Sequence, residues 1–103
     1  MTFAIRNDTQ PGHLHLEGTF NFDGHAAFRE ATTTLLETRG LPAIVLDLSG
    51  VVYMDSAALG MLLLLRERAE AKGLKVVLSR PSPMVSGILQ IVQFGKLFDI
   101  RET

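Results

Sequence analysis

Residues 44–65 read IVLDLSGVVYMDSAALGMLLLL, and the fold turns on how this stretch divides. Residues 43–48 form a short, nearly continuous apolar run, the pattern of a central strand buried on both faces. A turn is expected next. One acidic and one hydroxyl residue, Asp55 and Ser56, then stand before a second apolar run. At 100° per residue Ala58, Leu62, Leu65 and Ala69 fall on one stripe, with Met61 at its margin. That period predicts a helix over about residues 56–72, stopped by Gly73. Strand, polar junction and helix make a βα unit. The polar pair then occupies a loop leaving the C-terminal end of a strand, where α/β sheets collect function.

Working outward, residues 3–6 suit a short strand closed by the turn-rich Asn7-Asp8-Thr9-Gln10-Pro11-Gly12. Residues 13–17 alternate polar and apolar, as a strand with one wet face does, and pair with the first as a hairpin. A loop at 18–24 precedes a helix over about 25–38, with Asp23 as its N-cap and Gly40 just past its end. Ala27, Ala31, Leu35 and Thr38, flanked by Phe28 and Leu36, form its expected apolar face. Downstream, LKVVLS (residues 74–79) is another buried strand. Ser82-Pro83 is a strong helix start, with Ser at the cap and Pro at the first helical position. Val85, Ile88, Leu89 and Val92 are the expected core face of that helix, Gly95 ends it, and residues 97–101 suit an edge strand. The order β-β-α-β-α-β-α-β implies right-handed crossovers and an α/β fold. Its sheet is mixed and mostly parallel, of about four to five strands, with about three helices. The loops 21–25, 53–56 and 79–82 are expected to gather on one sheet edge, with the Ser56 hydroxyl exposed.

Composition sets the limits. The chain has 103 residues, which fits one domain spanning 1–103 with a single core. A net charge of −1 gives no field that marks a nucleic-acid or membrane-surface binder. The absence of cysteine removes disulfides, thiolate chemistry and cysteine-ligated metals. MTFAIRNDTQPG lacks a basic segment followed by an apolar run, so no signal peptide is expected. The longest apolar run, 57–65, is about half of what crosses a bilayer. A cytoplasmic protein is the expectation.

Within the second helix, Leu63 and Leu64 point well away from the sheet-facing stripe. Either a neighbouring element buries them or they belong to an apolar patch kept for a partner. Ser56 has two readings as well. Asp-Ser is a good helix start in any protein. A hydroxyl in the first turn is also a fit phosphate acceptor, because unsatisfied N–H groups and the positive end of the helix dipole favour negative charge there. Phosphorylation would add roughly −1.5 to −2 charges. The helix start tolerates that charge, whereas an apolar partner and Asp55 would not.

The run DLSGVVYMDSAALG resembles the signature of STAS domains, the sulphate-transporter and anti-sigma-factor-antagonist family. Their usual run is an Asp-Leu-Ser strand end, an apolar link, and Met-Asp-Ser-Ser-Gly-Leu-Gly opening a helix. GTFNF after the second strand, Gly73-Leu74-Lys75-Val76 before the fourth and Ser82-Pro83 before the last helix support the match. The resemblance covers essentially the whole chain, and without a transmembrane part it points to the stand-alone antagonist branch. It implies that Ser56 is phosphorylated by an anti-sigma factor that is also a serine kinase. The unphosphorylated antagonist binds that factor and frees a sigma factor, and a serine phosphatase resets it. Asp55, Ser56, Leu59 and Gly60 carry over directly. Ala57 and Ala58 stand where the family commonly has Ser and Gly, so the backbone is expected to be less approachable at Ala58. Asn21 stands where an acidic residue is common.

The expected partner-binding set is Asn21, Asp23, His25, Tyr53, Met54, Asp55, Ser56, Ala57, Leu59, Gly60, Leu63 and Leu64. Other chemistry is weaker. Met54–Ala58 lacks the glycines of a nucleophile elbow, and His25 is the one sensible base for a serine hydrolase. His13 and His15 share a strand side but have no third ligand. No Gly-rich phosphate loop is present. Arg66, Arg68, Lys72 and Lys75 interleave with Glu67 and Glu70 as a solvated face. No catalytic residue, cofactor or metal is expected, nor direct nucleic-acid or membrane binding, and the chain should be a monomer or weak homodimer. The rival reading is a non-signalling STAS subunit of a lipid-transport ATPase, with Ser56 structural.

Overall fold

Along β2 (His13–Phe20), Leu14, Leu16 and Phe20 are buried while His13, His15, Glu17 and Thr19 are half-buried. That alternation makes a strand with one face on the core and one face open. The computed structural model, which describes residues 2–102, extends this pattern across a sheet. Among the described residues five strands lie side by side in sequence order: β1 (Ala4–Asn7), β2, β3 (Ala43–Met54), β4 (Lys75–Ser79) and β5 (Asp99–Arg101). β1 is antiparallel to β2, and every other pair is parallel. The parallel connections carry α1 (His25–Glu37), α2 (Ser56–Glu70) and α3 (Pro83–Ile91). Right-handed crossovers advancing in one direction put all of these helices on one face of the sheet. There Ile44, Leu46 and Leu78 meet Phe28 and Leu36 of α1, Leu62 and Leu65 of α2, and Val85 and Leu89 of α3 in a single core. The element order and the mixed sheet are those expected.

Several boundaries move. β2 continues through Phe20, so Gly18 lies inside it at φ +89°; a Cβ there would sit 2.2 Å from the Thr2 carbonyl oxygen. Only glycine accommodates both that backbone and that approach. The turn expected after residue 48 is absent, and β3 runs unbroken to Met54. Bulges absorb the extra length. The step from His15 to Glu17 on β2 matches Asp47 to Gly50 on β3, and the step from Gly18 to Thr19 matches Val51 to Tyr53.

The helices also differ in detail. The core face of α1 is turned by about one residue: Phe28, Thr32 and Leu36 are buried, whereas Ala27 and Thr38 are exposed. Thr32 is accepted there because its hydroxyl donates to the Phe28 carbonyl at 2.8 Å. Asp23 does not cap α1. A 3-10 turn, Phe22–Gly24, intervenes, and Asn21 caps that turn by accepting the Asp23 N–H at 3.0 Å. At α3, Ser82 caps and Pro83 starts the helix as expected, but Val92 is exposed and the helix ends before it. A second 3-10 turn, Phe94–Lys96, leads to β5 and brings Phe94 against Phe98, ring centroids 5.2 Å apart.

Candidate functional site

At the end of β3 the chain changes direction over a single residue. Asp55 is extended, its N–H donates to the Phe20 carbonyl at 3.3 Å, and its carboxylate accepts the Ala58 N–H at 2.9 Å. One bond ties the junction to β2 and the other caps α2. Ser56 is the first residue of α2 and is exposed. The predicted stripe Ala58, Leu62, Leu65 and Ala69 is buried against the sheet. The face opposite it presents Ser56, Gly60, Leu63, Leu64 and Glu67 to solvent, with Leu63 37% and Leu64 46% exposed. A hydroxyl thus heads an exposed strip containing two leucines, and a Cβ on Gly60 would meet nothing within 4 Å.

The structure brings only part of the expected contact set to this surface. Met54 is buried opposite Phe20, because the strand period turns it inward. The Ala58 methyl packs against the sheet and does not obstruct the outer face. Ala57 and Leu59 are half-buried, Leu59 at the core margin. Tyr53 is exposed, as is Val52 beside it, since the bulge breaks the alternation that would have hidden one of them. Phe22, 61% exposed, is a second residue that sequence reasoning missed. It stacks on His25, centroids 4.5 Å apart, and His25 Nδ1 lies 3.2 Å from the Phe22 carbonyl. The missed signal was an aromatic residue held between polar Asn21 and Asp23. His25 in turn borders a shallow cavity of about 70 Å³ between α1 and α2, lined also by Phe28, Met61 and Leu64. Gly24 is buried under Phe3, whose ring a Cβ would meet at 2.5 Å, so the 3-10 turn is locked to the N-terminal segment.

The loop after β4 does not join this surface as expected. β4 pairs with β3 only as far as Asp47↔Ser79, seven positions before Met54. Its link is indirect: Ser82 Oγ donates to the Val51 carbonyl at 2.6 Å while accepting the Val85 N–H that starts α3.

The other acid of the motif, Asp47, serves the open face of the sheet. Its carboxylate accepts the Ser49 N–H at 3.0 Å, lies 3.2 Å from His15 Nδ1 and is paired with Arg80. Burial alone would raise its pKa, but the hydrogen bonds from Ser49, Arg80 and His15 outweigh that and lower it to about 2. His15 Nε2 also lies 3.7 Å from Glu17, which pairs with Arg6 at 3.5 Å. These charges satisfy one another across β1, β2, β3 and the end of β4.

Comparison with known proteins agrees with the fold. The family model described as "Mlab, STAS domain" matches residues 3–100. A STAS-domain containing protein of Pseudomonas aeruginosa (strain UCBPP-PA14) is 40% identical over 93 residues, covering 90% of each chain. Among solved structures, a candidate anti-sigma factor antagonist of Thermotoga maritima superposes with a TM-score of 0.77 at 20% identity, over 98% of this chain and 86% of that one. The anti-sigma factor antagonist SpoIIAA in its unphosphorylated form gives a TM-score of 0.72 at 18% identity, over 99% and 89% of the two chains. The phosphorylated form of the Bacillus cell fate determinant SpoIIAA gives 0.68 at 18% identity, over 96% and 90%. The chain belongs to the STAS domain family.

Proposed function

We propose that this STAS domain is an anti-sigma factor antagonist, a non-enzymatic binding module gated by phosphorylation. With Ser56 unmodified it docks on an anti-sigma factor that is also a serine kinase, and so frees a sigma factor. Phosphate on Ser56 ends the contact and a serine phosphatase restores it. The observation that carries this reading is the exposed Ser56 at the head of the strip formed by Gly60, Leu63 and Leu64. A phosphate there adds roughly −1.5 to −2 charges. The first turn of α2 accommodates them, so the fold survives. A partner seated on two leucines would have to desolvate that charge, so the complex would not. SpoIIAA, a protein of the same fold, is known in both unphosphorylated and phosphorylated forms. The role requires no cofactor, nucleic acid or membrane and suits the cytoplasm. Among the described residues no helix is long and apolar enough to cross a membrane.

A second reading leaves Ser56 structural, because Ala57 and Ala58 stand where the family resemblance has Ser and Gly and so weaken the match beside the serine. In that reading the chain is a constant subunit of a lipid-transport ATPase, and Ser56 only starts a helix. Affinity capture of the chain from its own cells, followed by mass spectrometry, separates the two. The antagonist reading expects an anti-sigma factor bound to the unmodified form and phosphate on Ser56 in the unbound fraction. Constant recovery of an ATPase with Ser56 unmodified would support the subunit instead.

A further inference from the structure

Among the described residues Arg6, Arg66, Arg80 and Arg101 each pair with a carboxylate, whereas Arg29, Arg39 and Arg68 do not. Two of those three, Arg29 on α1 and Arg68 on α2, flank the shallow cavity between the helices. Arg68 is half-buried and held in place, its guanidinium donating to Thr33 Oγ1 at 2.6 Å. That bond draws on one of the several N–H donors of the group and leaves the others for a ligand. Arg29 is exposed. No carboxylate lines the cavity. Buried Phe28 and Leu65 form its floor, with Met61 and Leu64 beside them on α2.

We propose that this groove anchors the protein's partner, and that the anchor is an aliphatic side chain flanked by carboxylates. The proposal rests on the reading that the outer face of α2 docks a protein, since Leu64 belongs to both surfaces. Size selects the kind of occupant. The cavity holds about 70 Å³, far below the roughly 300–1,000 Å³ of small-molecule sites, and admits the end of one aliphatic side chain. Charge selects the setting of that side chain. Two guanidinium groups that no carboxylate of the described chain neutralises favour a negative ligand, and the half-buried one is the less screened by salt. A nucleic acid would supply the charge but no aliphatic group for the floor. A basic segment would be repelled from both sides. An acidic segment with one leucine, isoleucine or valine between its carboxylates satisfies floor and rim together. Ser56 precedes Leu64 by about 12 Å along the axis of α2, so anchor and switch are separate parts of one footprint.

NMR titration of the isotope-labelled chain tests this, with an acetylated and amidated pentapeptide, leucine between two pairs of glutamates, as the probe. At low salt and millimolar peptide, binding should be saturable, with shifts centred on Phe28, Thr32, Met61 and Leu64. Replacing the glutamates by glutamine, or the leucine by glycine, should each weaken binding at least fivefold. Arg29→Glu should do the same, with circular dichroism melting unchanged because the position is exposed. Added salt should weaken the acidic peptide and not the glutamine one. Ser56→Asp should bind the peptide as the wild type does, although the signalling reading has it dock the anti-sigma factor more weakly. The two ideas therefore fail separately. An absence of saturable shifts at the groove would overturn the anchor and leave the Ser56 switch standing. So would a glutamine peptide that binds as well as the acidic one, or an Arg29→Glu chain that binds like wild type.

Discussion

Asp47 within β3 and Asp55 just past its end are carboxylates with different duties, and only one duty was legible in the sequence. Asp55 before Ser56 and an apolar run reads as a helix cap, and its bond to the Ala58 N–H is that cap. Asp47 reads only as a motif letter, because His15 and Arg80 reach it from elsewhere in the chain. Its pKa of about 2, below the usual 3.8, carries a stability consequence. A lowered pKa contributes stability that is present above the unfolded value and is lost as pH falls through the folded one. The window here is about pH 4 down to pH 2, and the contribution is on the order of 2 kcal/mol. Urea denaturation of wild type and Asp47→Asn across that window should show the wild type losing stability more steeply. Parallel curves would mean that the cluster contributes nothing.

Among the elements, α2 is the best case for sequence reasoning, since a strict 3.6-residue period named its whole buried stripe and left Leu63 and Leu64 outside. β3 was harder. Its bulges offset the pairing with β2 and expose Val52 together with Tyr53, which no period-2 pattern encodes. α1 was misread by about one residue because Thr32 satisfies its hydroxyl within the helix and behaves as a core residue. The α2 assignment makes a prediction of its own. Leu64→Glu should alter stability by within about 0.5 kcal/mol, as exposed sites do. It should weaken binding to the partner that the proposed function expects at least tenfold. Chemical denaturation read beside a binding isotherm checks both parts, and a stability loss of several kcal/mol would make Leu64 a core residue.

Across the whole molecule, the alternation of strands and helices was enough for the topology, because right-handed crossovers leave few alternatives. Strand lengths were not legible, and they decide which loops share an edge. β3 outruns β4, so the loop after β4 is set back while the ends of β2 and β3 meet at Asp55 and Phe20. The surface that results is built from the Phe22–His25 turn, the Val52–Tyr53 bulge and the outer strip of α2, with Ser56 among them. The central claim is that this serine controls docking. Titration calorimetry of the anti-sigma factor that the proposed function expects to copurify, against wild type, Ser56→Ala and Ser56→Asp, with circular dichroism to confirm folding, tests it most directly. Ser56→Ala should bind like wild type, since it loses little area and gains no charge. Ser56→Asp should fold but bind at least tenfold more weakly, about 1.4 kcal/mol or more. Equal affinity for all three folded forms would contradict the account and leave Ser56 as a helix start.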